Sequence, residues 1–195
     1  MISRMNAWPR PSPKFLGNRH KIRTPWNFNL SVFKPYRPDN ESLLDSCFEI
    51  DWGRTKIGRL VKEEETFNQL KAICKKHYKI FRESYKYITA LDPQKDLLCI
   101  SNITFGDIMQ RMDGMVDGKT LKLADLDLDF IATKASGFQH KRNPERALVR
   151  HNWLEIFFRT CQTKFVKNGA GGPNVKTFPD CYSLMLKEHL IPYFS

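Results

Sequence analysis

One long helix decides the fold, and it is predicted over residues 143–165, which read NPERALVRHNWLEIFFRTCQTKF. Asn143 can cap its start, Pro144 suits the first helical position, and Glu145 lies near the positive end of the helix. Large apolar side chains then recur at the three-to-four-residue spacing of one buried face. They are Leu148, Trp153, Ile156, Phe157, Cys161 and Phe165.

The same spacing predicts a second long helix upstream of this stretch. It begins near residue 60 and ends where Pro93 follows Leu91 and Asp92. Its buried face is predicted to carry Phe67, Leu70, Ile73, Cys74, His77, Ile80, Phe81, Tyr87 and Ile88. Two shorter helices are predicted between the long ones, the first over residues 105–112 and the second from about Leu123, with Leu126 and Phe130 on one side.

A last helix is predicted near the C-terminus. It follows a glycine-rich connector over residues 168–173, starts at residues 177–180 and ends at Pro192. The body of the chain is therefore predicted to be all-α, built from helix–loop–helix pairs.

Helix–loop–helix pairs of this kind suggest EF-hands, and the loop residues decide whether calcium can bind. A calcium loop places oxygen ligands at positions 1, 3, 5, 9 and 12 and a glycine at position 6. With position 12 directly before the first apolar residue of the next helix, the first loop has Pro93 at position 1 and Lys95 at position 3. The second loop has Lys141 at position 1 and Arg146 at position 6. The sequence therefore predicts EF-hand-like pairs with degenerate loops that bind no calcium.

Charge is unevenly distributed along the chain. The 195 residues carry 32 Lys and Arg against 21 Asp and Glu, a formal net charge of +11. Eight of these basic residues and none of the acidic ones lie in residues 1–38, together with six of the eleven prolines. Because proline fixes φ and removes a donor, this segment is predicted to be extended. The expected organisation is a basic N-terminal arm over residues 1–47 and an α-helical domain over residues 48–195.

The arm also carries large apolar side chains, including two tryptophans, which a plain solvated linker does not need. Aromatic rings can fill pockets of a partner while Lys and Arg pair with its carboxylates or phosphates. A partner-binding arm is the favoured interpretation, and folding back onto the chain's own domain or disorder are the alternatives. The predicted partner-binding residues are Trp8, Arg10, Lys14, Phe15, Arg19, Lys21, Arg23, Trp26, Phe28, Phe33, Lys34 and Arg37.

The composition argues against a membrane protein and against an enzyme. No apolar run approaches the ~18–20 residues of a membrane span, and the mean hydropathy is −0.49. The five cysteines are scattered without a C-x-x-C pair, which suits buried thiols in a reducing compartment. The five histidines stand apart, and no nucleophile, metalloprotease or phosphate-loop motif occurs. We therefore expect no catalytic residue and no cofactor.

The acidic run at residues 125–129, DLDLD, raises the question of a metal site. In a strand the three carboxylates would share one face, whereas in a helix they would not. Because the run lies in a predicted helix, and acids stabilise a helix start, we expect a solvated helix start without a metal. His77, Cys161 and Cys181 have core spacing and are expected to pack in the core.

Five stretches of the body carry a family resemblance: residues 123–133 (LADLDLDFIAT), 143–150 (NPERALVR) and 153–156 (WLEI), with 81–87 (FRESYKY) and 188–194 (EHLIPYF) fitting the same pattern. They resemble a degenerate EF-hand-like helical family of ciliary and flagellar proteins in protists such as ciliates. The resemblance covers about residues 48–195 and leaves the arm unaccounted for. It implies a non-catalytic axonemal component, and the degenerate loops agree with a scaffold role.

The resulting expectation is a structural axonemal protein that binds tubulin and other axonemal proteins on the doublet microtubules of a cilium or flagellum. Tubulin surfaces are acidic, so the basic arm would be attracted in a salt-sensitive way. The alternative is a nucleic-acid-binding or ribosome-associated protein, since phosphates attract the same charges and aromatic rings stack on bases. The nearly neutral body contains no recognised RNA or DNA module, so nucleic acid is the less favoured partner.

Overall fold

The computed structural model of the chain describes residues 39–91, 98–135, 143–175 and 177–194. Over these residues the fold is almost entirely helical, with a single pair of two-residue strands, which confirms the predicted all-α class. Residues 1–38, which contain all twelve predicted partner-binding residues, lie outside the described residues.

The first helices lie where the arm was expected to end. Helix α1 spans Glu41–Arg54 and α2 spans Ile57–Leu60. Asn40 caps α1, because its side-chain oxygen accepts a hydrogen bond from the Leu43 N–H at 2.8 Å. Residues 41–47 are therefore helical, although they were assigned to an extended arm, and the boundary at residue 47 falls inside α1.

Helix α3 spans Glu64–Leu91 and confirms the long upstream helix, with acidic residues in its first turn. Its buried face includes Tyr78 and Tyr85, which lie seven positions apart on one side of the helix. Tyr87 was predicted on this face, but it is 64% exposed. It follows Tyr78 by nine positions, and at about 100° per residue this places it half a turn away.

Two helix–strand–helix units follow one another and are joined by their strands. The first consists of the second half of α3, strand β1 at Ile100–Ser101 and helix α4 at Asn102–Arg111. The second consists of α5 at Leu123–Lys134, strand β2 at Ala147–Leu148 and α6 at Arg150–Cys161. The strands are antiparallel, with Ile100 opposite Leu148 and Ser101 opposite Ala147. The predicted helices near residues 105 and 123 are thus confirmed.

The predicted start of the central helix is wrong. Helix α6 begins at Arg150, seven residues after Asn143, because Ala147 and Leu148 are extended and pair with β1. The backbone groups of these two residues take part in the strand pair and cannot join a helical hydrogen-bond series. Asn143 does not cap a helix; its side-chain oxygen accepts a hydrogen bond from the Lys134 Nζ.

The C-terminal part continues the helical path with two π-helical turns. The first, Gln162–Lys167, extends α6, and a 3-10 turn follows at Gly172–Asn174. Helix α7 spans Phe178–Met185 and starts within the predicted residues 177–180, where Thr177 and Asp180 form a capping box. The second π turn, Leu186–Leu190, leads into α8 at Ile191–Phe194. Pro192 does not end the helix as predicted, because it lies in the first turn of α8, where a missing N–H is tolerated.

The core is centred on α6, which is buried on nearly every side. The predicted stripe of Trp153, Ile156, Phe157, Cys161 and Phe165 is buried throughout, which confirms that part of the sequence analysis. The ring centroids of Trp153 and Phe157 lie 4.6 Å apart in an edge-to-face arrangement. Burial of each large apolar side chain contributes roughly 1.5–3 kcal/mol. The position of α6 therefore fixes where the remaining helices can lie.

Candidate functional site

A buried ion pair lies where α1, α3 and α6 meet. Asp51 is 2% exposed and accepts two hydrogen bonds from Arg150, at 2.6 Å from Nε and 3.1 Å from Nη2. The Tyr78 hydroxyl donates a further hydrogen bond to the same carboxylate. Burial raises the pKa of Tyr78, and its bond to Asp51 raises it further. The carboxylate is thus fully occupied by two neighbours, as a structural ion pair requires.

A second buried carboxylate, that of Glu155, lies on α6 about one and a half turns after Arg150. Glu155 is fully buried, and Arg159 donates to its Oε1 from Nη2 at 2.8 Å and from Nε at 3.0 Å. The backbone N–H of Lys56 donates to Oε2 at 2.9 Å. The Lys56 Nζ donates to the Thr133 carbonyl at 2.6 Å, near the end of α5. We call the residues Asp51, Tyr78, Arg150, Glu155, Arg159 and Lys56 the α6 network.

Two titratable side chains beside the α6 network have shifted pKa values. Burial lowers the pKa of Lys134 to about 8 and that of His151 to about 4. The Lys134 Nζ donates to the side-chain oxygens of Asn143 and Asn152, the latter at 3.0 Å. Lys134 therefore joins the second unit's loop to α6, which is a structural role.

Another buried cation closes the turn before α5. Lys164 is 4% exposed, and its Nζ donates to the Met115 carbonyl at 3.0 Å and to the Asp117 carboxylate at 3.2 Å. Asp117 also accepts the backbone N–H groups of Lys119, Thr120 and Leu121. Its pKa is lowered chiefly by the hydrogen bond from the Thr120 hydroxyl and by these backbone bonds.

The buried thiols form a cluster between α3, α6 and α7. The Sγ atoms of Cys161 and Cys181 lie 3.4 Å apart, and both residues are fully buried, as their spacing predicted. Burial raises the pKa of Cys161, and it raises that of Cys74 to about 12. The raised pKa values favour the protonated thiol form of Cys74 and Cys161 at neutral pH. His77 is only partly buried, and burial lowers its pKa.

The acidic run at residues 125–129 lies in helix α5, as predicted, and its carboxylates make separate contacts. Asp125 accepts the Lys122 N–H at 2.9 Å, and Asp127 accepts from the Asn102 side chain at 2.8 Å. Asp129 is not solvated as expected: it is 8% exposed and accepts from the Thr163 hydroxyl at 3.0 Å. Among the described residues, no three His, Cys, Asp or Glu side chains are placed to hold a metal ion.

A groove of about 820 Å³ lies between α3 and α4 and is also lined by Tyr193 and Phe194 of α8. Its floor is apolar, with Ile88 and Ile108 less than 10% exposed. Its rim is also apolar: Tyr87 is 64% exposed and Leu91 67%. Clefts of this size with apolar walls are where proteins bind ligands and partners. We call this feature the α3–α4 groove.

Charged side chains of both signs line the α3–α4 groove. Lys79 and Glu83 lie one turn apart on α3, and Asp107 and Arg111 lie one turn apart on α4. Glu83 pairs with Lys86 at 3.1 Å along its own helix. Lys79, Asp107 and Arg111 form no ion pair with any residue that the structure describes.

Sequence reasoning missed the α3–α4 groove because it assigned Tyr87 to the buried face. A signal was present: Lys79, Glu83, Tyr87 and Leu91 follow each other at four-residue spacing, which marks a second stripe along α3. This stripe ends in two large apolar residues on the side opposite Tyr78. Its exposure could not be read from the sequence, since that depends on which helices cover α3.

Comparison with known proteins gives no match for this chain among protein-family models, curated proteins or solved structures. Within the described residues, no helix combines the length and the hydrophobicity needed to cross a bilayer.

Proposed function

We propose that this chain is a structural, non-catalytic component of the ciliary or flagellar axoneme, which binds doublet microtubules through its basic arm and its helical body. The observation that carries the proposal is the charge distribution: eight basic residues and no acidic residue in residues 1–38, interleaved with aromatic rings. Acidic polymer surfaces attract such a segment, and its rings give it register. The expected resemblance of five stretches to ciliary EF-hand-like proteins favours the microtubule as this polymer.

The pairing of the two helix–strand–helix units supports an EF-hand-like arrangement. With Phe105 and Trp153 placed directly after the twelfth loop position, Ile100 and Leu148 both occupy position 8. These two residues lie opposite each other in the antiparallel strand pair. Antiparallel pairing of equivalent positions relates two units by an approximate two-fold axis, which is the arrangement of a pair of like motifs.

The loops of this arrangement are proposed to work without calcium. Position 1 is Pro93 in one loop and Lys141 in the other, and position 12 is Thr104 and Asn152. A calcium loop requires a carboxylate at its first position and a bidentate glutamate at its last. The module would therefore hold one fixed conformation and act as a scaffold.

The charged groups of the body agree with this role. The carboxylates of Asp51 and Glu155 are buried and bound by Arg150 and Arg159. Carboxylates occupied in this way are not available to a substrate, and removing one partner would leave the other charge buried and unpaired. The surfaces left for function are the arm and the exposed faces of the helices.

Co-sedimentation of the full chain with taxol-stabilised microtubules tests the proposal. One variant replaces seven arm cations by glutamine: Arg10, Lys14, Arg19, Lys21, Arg23, Lys34 and Arg37. The matched control replaces seven exposed cations of the body, with the same change in net charge: Arg59, Lys62, Lys76, Lys119, Lys122, Arg146 and Lys187. We expect the arm variant to lose most of its binding, by tenfold or more, and the control to lose much less.

Two results would count against the proposal. Equal loss in both variants would mean that net charge alone drives binding and that the arm has no special part. The nucleic-acid alternative would be favoured by two results together: the wild-type protein does not pellet with microtubules, and single-stranded RNA retains it. Phosphates attract the same eight cations.

A further inference from the structure

The α3–α4 groove combines a hollow with side chains that project beside it. Ile88 and Ile108 form an apolar floor, while Tyr87 and Leu91 on the rim are 64% and 67% exposed. A surface that carries both a hollow and an apolar projection can fit a second copy of itself. In a two-fold arrangement, the rim of each copy enters the hollow of the other, and both contacts form at once.

The charges around the hollow are balanced, which narrows the choice of partner. Two cations, Lys79 and Arg111, and two anions, Glu83 and Asp107, line the groove, and all four side chains are exposed. A groove of one sign would select a partner of the opposite sign and repel a second copy. A balanced groove offers cations and anions in equal number, so it can attract a second copy of itself without net repulsion.

The walls of the groove also decide what kind of chain can lie in it. Both walls are α-helices, α3 and α4, whose backbone groups are bonded within the helices. An extended peptide would find no sheet edge to pair with, so its own backbone groups would lose their partners in an apolar hollow. A helical surface keeps its backbone bonded, and the rim of α3 is such a surface.

We propose that the α3–α4 groove is the interface of a homodimer, in which Tyr87 and Leu91 of each copy lie in the groove of the other. This inference goes beyond the proposed function and does not depend on it. A dimer would carry two basic arms, and two linked arms bind a repeating polymer more tightly than one, without any new contact.

Sedimentation velocity of the full chain over a roughly hundredfold range of concentration tests the proposal with two charge variants. Lys79→Glu with Arg111→Glu makes the groove wholly acidic, and Glu83→Lys with Asp107→Lys makes it wholly basic. We expect the wild type to shift from monomer to dimer, and each variant alone to associate at least about tenfold more weakly. An equimolar mixture of the two variants should recover the dimer, because each supplies the charges that the other lacks.

Controls separate this interface from loss of fold and from general charge effects. Lys62→Glu with Lys122→Glu changes the net charge by the same amount as the acidic variant, but neither residue lines the groove, so the dimer should persist. Tyr87→Ala removes an exposed ring with little effect on folding and should weaken the dimer about tenfold. A wild type that stays monomeric at every concentration overturns the proposal, because the groove then does not bind a second copy of the chain. A dimer that none of the groove variants weakens also overturns it, because association would use another surface.

Discussion

Charged groups are buried and paired on one side of helix α3 and exposed to solvent on the other. On one side, Tyr78 donates to the buried carboxylate of Asp51, which Arg150 binds from α6. On the other side, Tyr87 is 64% exposed. Lys79 lines the groove from α3 and Asp107 lines it from α4, and Lys79 forms no ion pair with any described residue. The carboxylates of the α6 network are bound by other members of the network, whereas the charged side chains of the α3–α4 groove are exposed to solvent.

Buried and exposed charges of this chain are under different physical requirements. A buried charge costs several kcal/mol of desolvation unless it is paired and hydrogen-bonded, so the partners within the α6 network are required by the fold itself. Exposed charges around an apolar hollow carry no such requirement, and a contiguous exposed apolar patch is typical of a surface that meets a partner. The α6 network is therefore where a substitution should affect stability, and the α3–α4 groove is where a substitution should affect the proposed association.

The largest expected effect comes from breaking the α6 network. Glu155→Gln leaves the guanidinium of Arg159 and the Lys56 ammonium, whose side chains are 14% and 11% exposed, without their anion. Removing one partner of a buried pair costs about 3–5 kcal/mol, so we expect the free energy of unfolding to fall by about 3 kcal/mol. Urea unfolding followed by circular dichroism measures it.

The groove supplies the matched control. Glu83→Gln removes an anion whose side chain is 46% exposed and whose partner Lys86 is exposed as well. We expect a loss within about 0.5 kcal/mol, because solvent screens such a pair. Both variants are measured at low protein concentration, so that association does not contribute. Equal losses in the two variants would erase the contrast between network and groove.

A smaller, pH-dependent effect is expected at Asp129, which is buried like the α6 network but less completely paired. Its Oδ1 accepts from Thr163, and its Oδ2 is buried without a hydrogen bond among the described residues. Burial raises the pKa of Asp129 to about 6, although the bond from Thr163 opposes this. Since the folded state holds the proton more tightly than the unfolded state, the stabilisation is full below about pH 4 and is lost as the pH rises through about 6.

Asp129→Asn removes this dependence. The free energy of unfolding of the variant minus that of the wild type should increase by about 2–3 kcal/mol between about pH 4 and pH 7. The wild type loses this stability when Asp129 ionises, and one pKa unit corresponds to about 1.4 kcal/mol. Urea unfolding at a series of pH values measures the difference. Asp127→Asn is the control on the same helix, because Asp127 is exposed. The same rise in both variants would show that Asp129 is not its source.

The fold class and the core could be predicted because both follow from local spacing. The stripe from Trp153 to Phe165 and the capping box of Thr177 and Asp180 are each determined by residues close together in sequence. The start of α6 could not be predicted in this way. Asn143, Pro144 and Glu145 have the residue types of a helix start, but pairing with Ile100 holds Leu148 in an extended strand. A contact between residues 48 positions apart overrides the local preference.

The candidate site was harder to predict for the same reason. Asp51 and Arg150 are 99 positions apart, so no local pattern shows that they meet. The exposure of Tyr87 and the burial of Asp129 depend on which helices cover α3 and α5. The twelve predicted arm residues lie outside the described residues, and their role remains the prediction that the microtubule experiment tests.

Hydrogen exchange followed by mass spectrometry, at low and at high protein concentration, tests the contrast between network and groove most directly. We predict that amides in Arg150–Cys161 exchange slowly and at the same rate at both concentrations, because α6 opens only with the whole fold. Amides in residues 80–91 and in Asn102–Arg111 should exchange more slowly at high concentration in the wild type, but not in the variant with Lys79→Glu and Arg111→Glu. If concentration slows exchange in α6 as much as in the groove, or slows it in neither, the division between a structural network and an associating groove is contradicted.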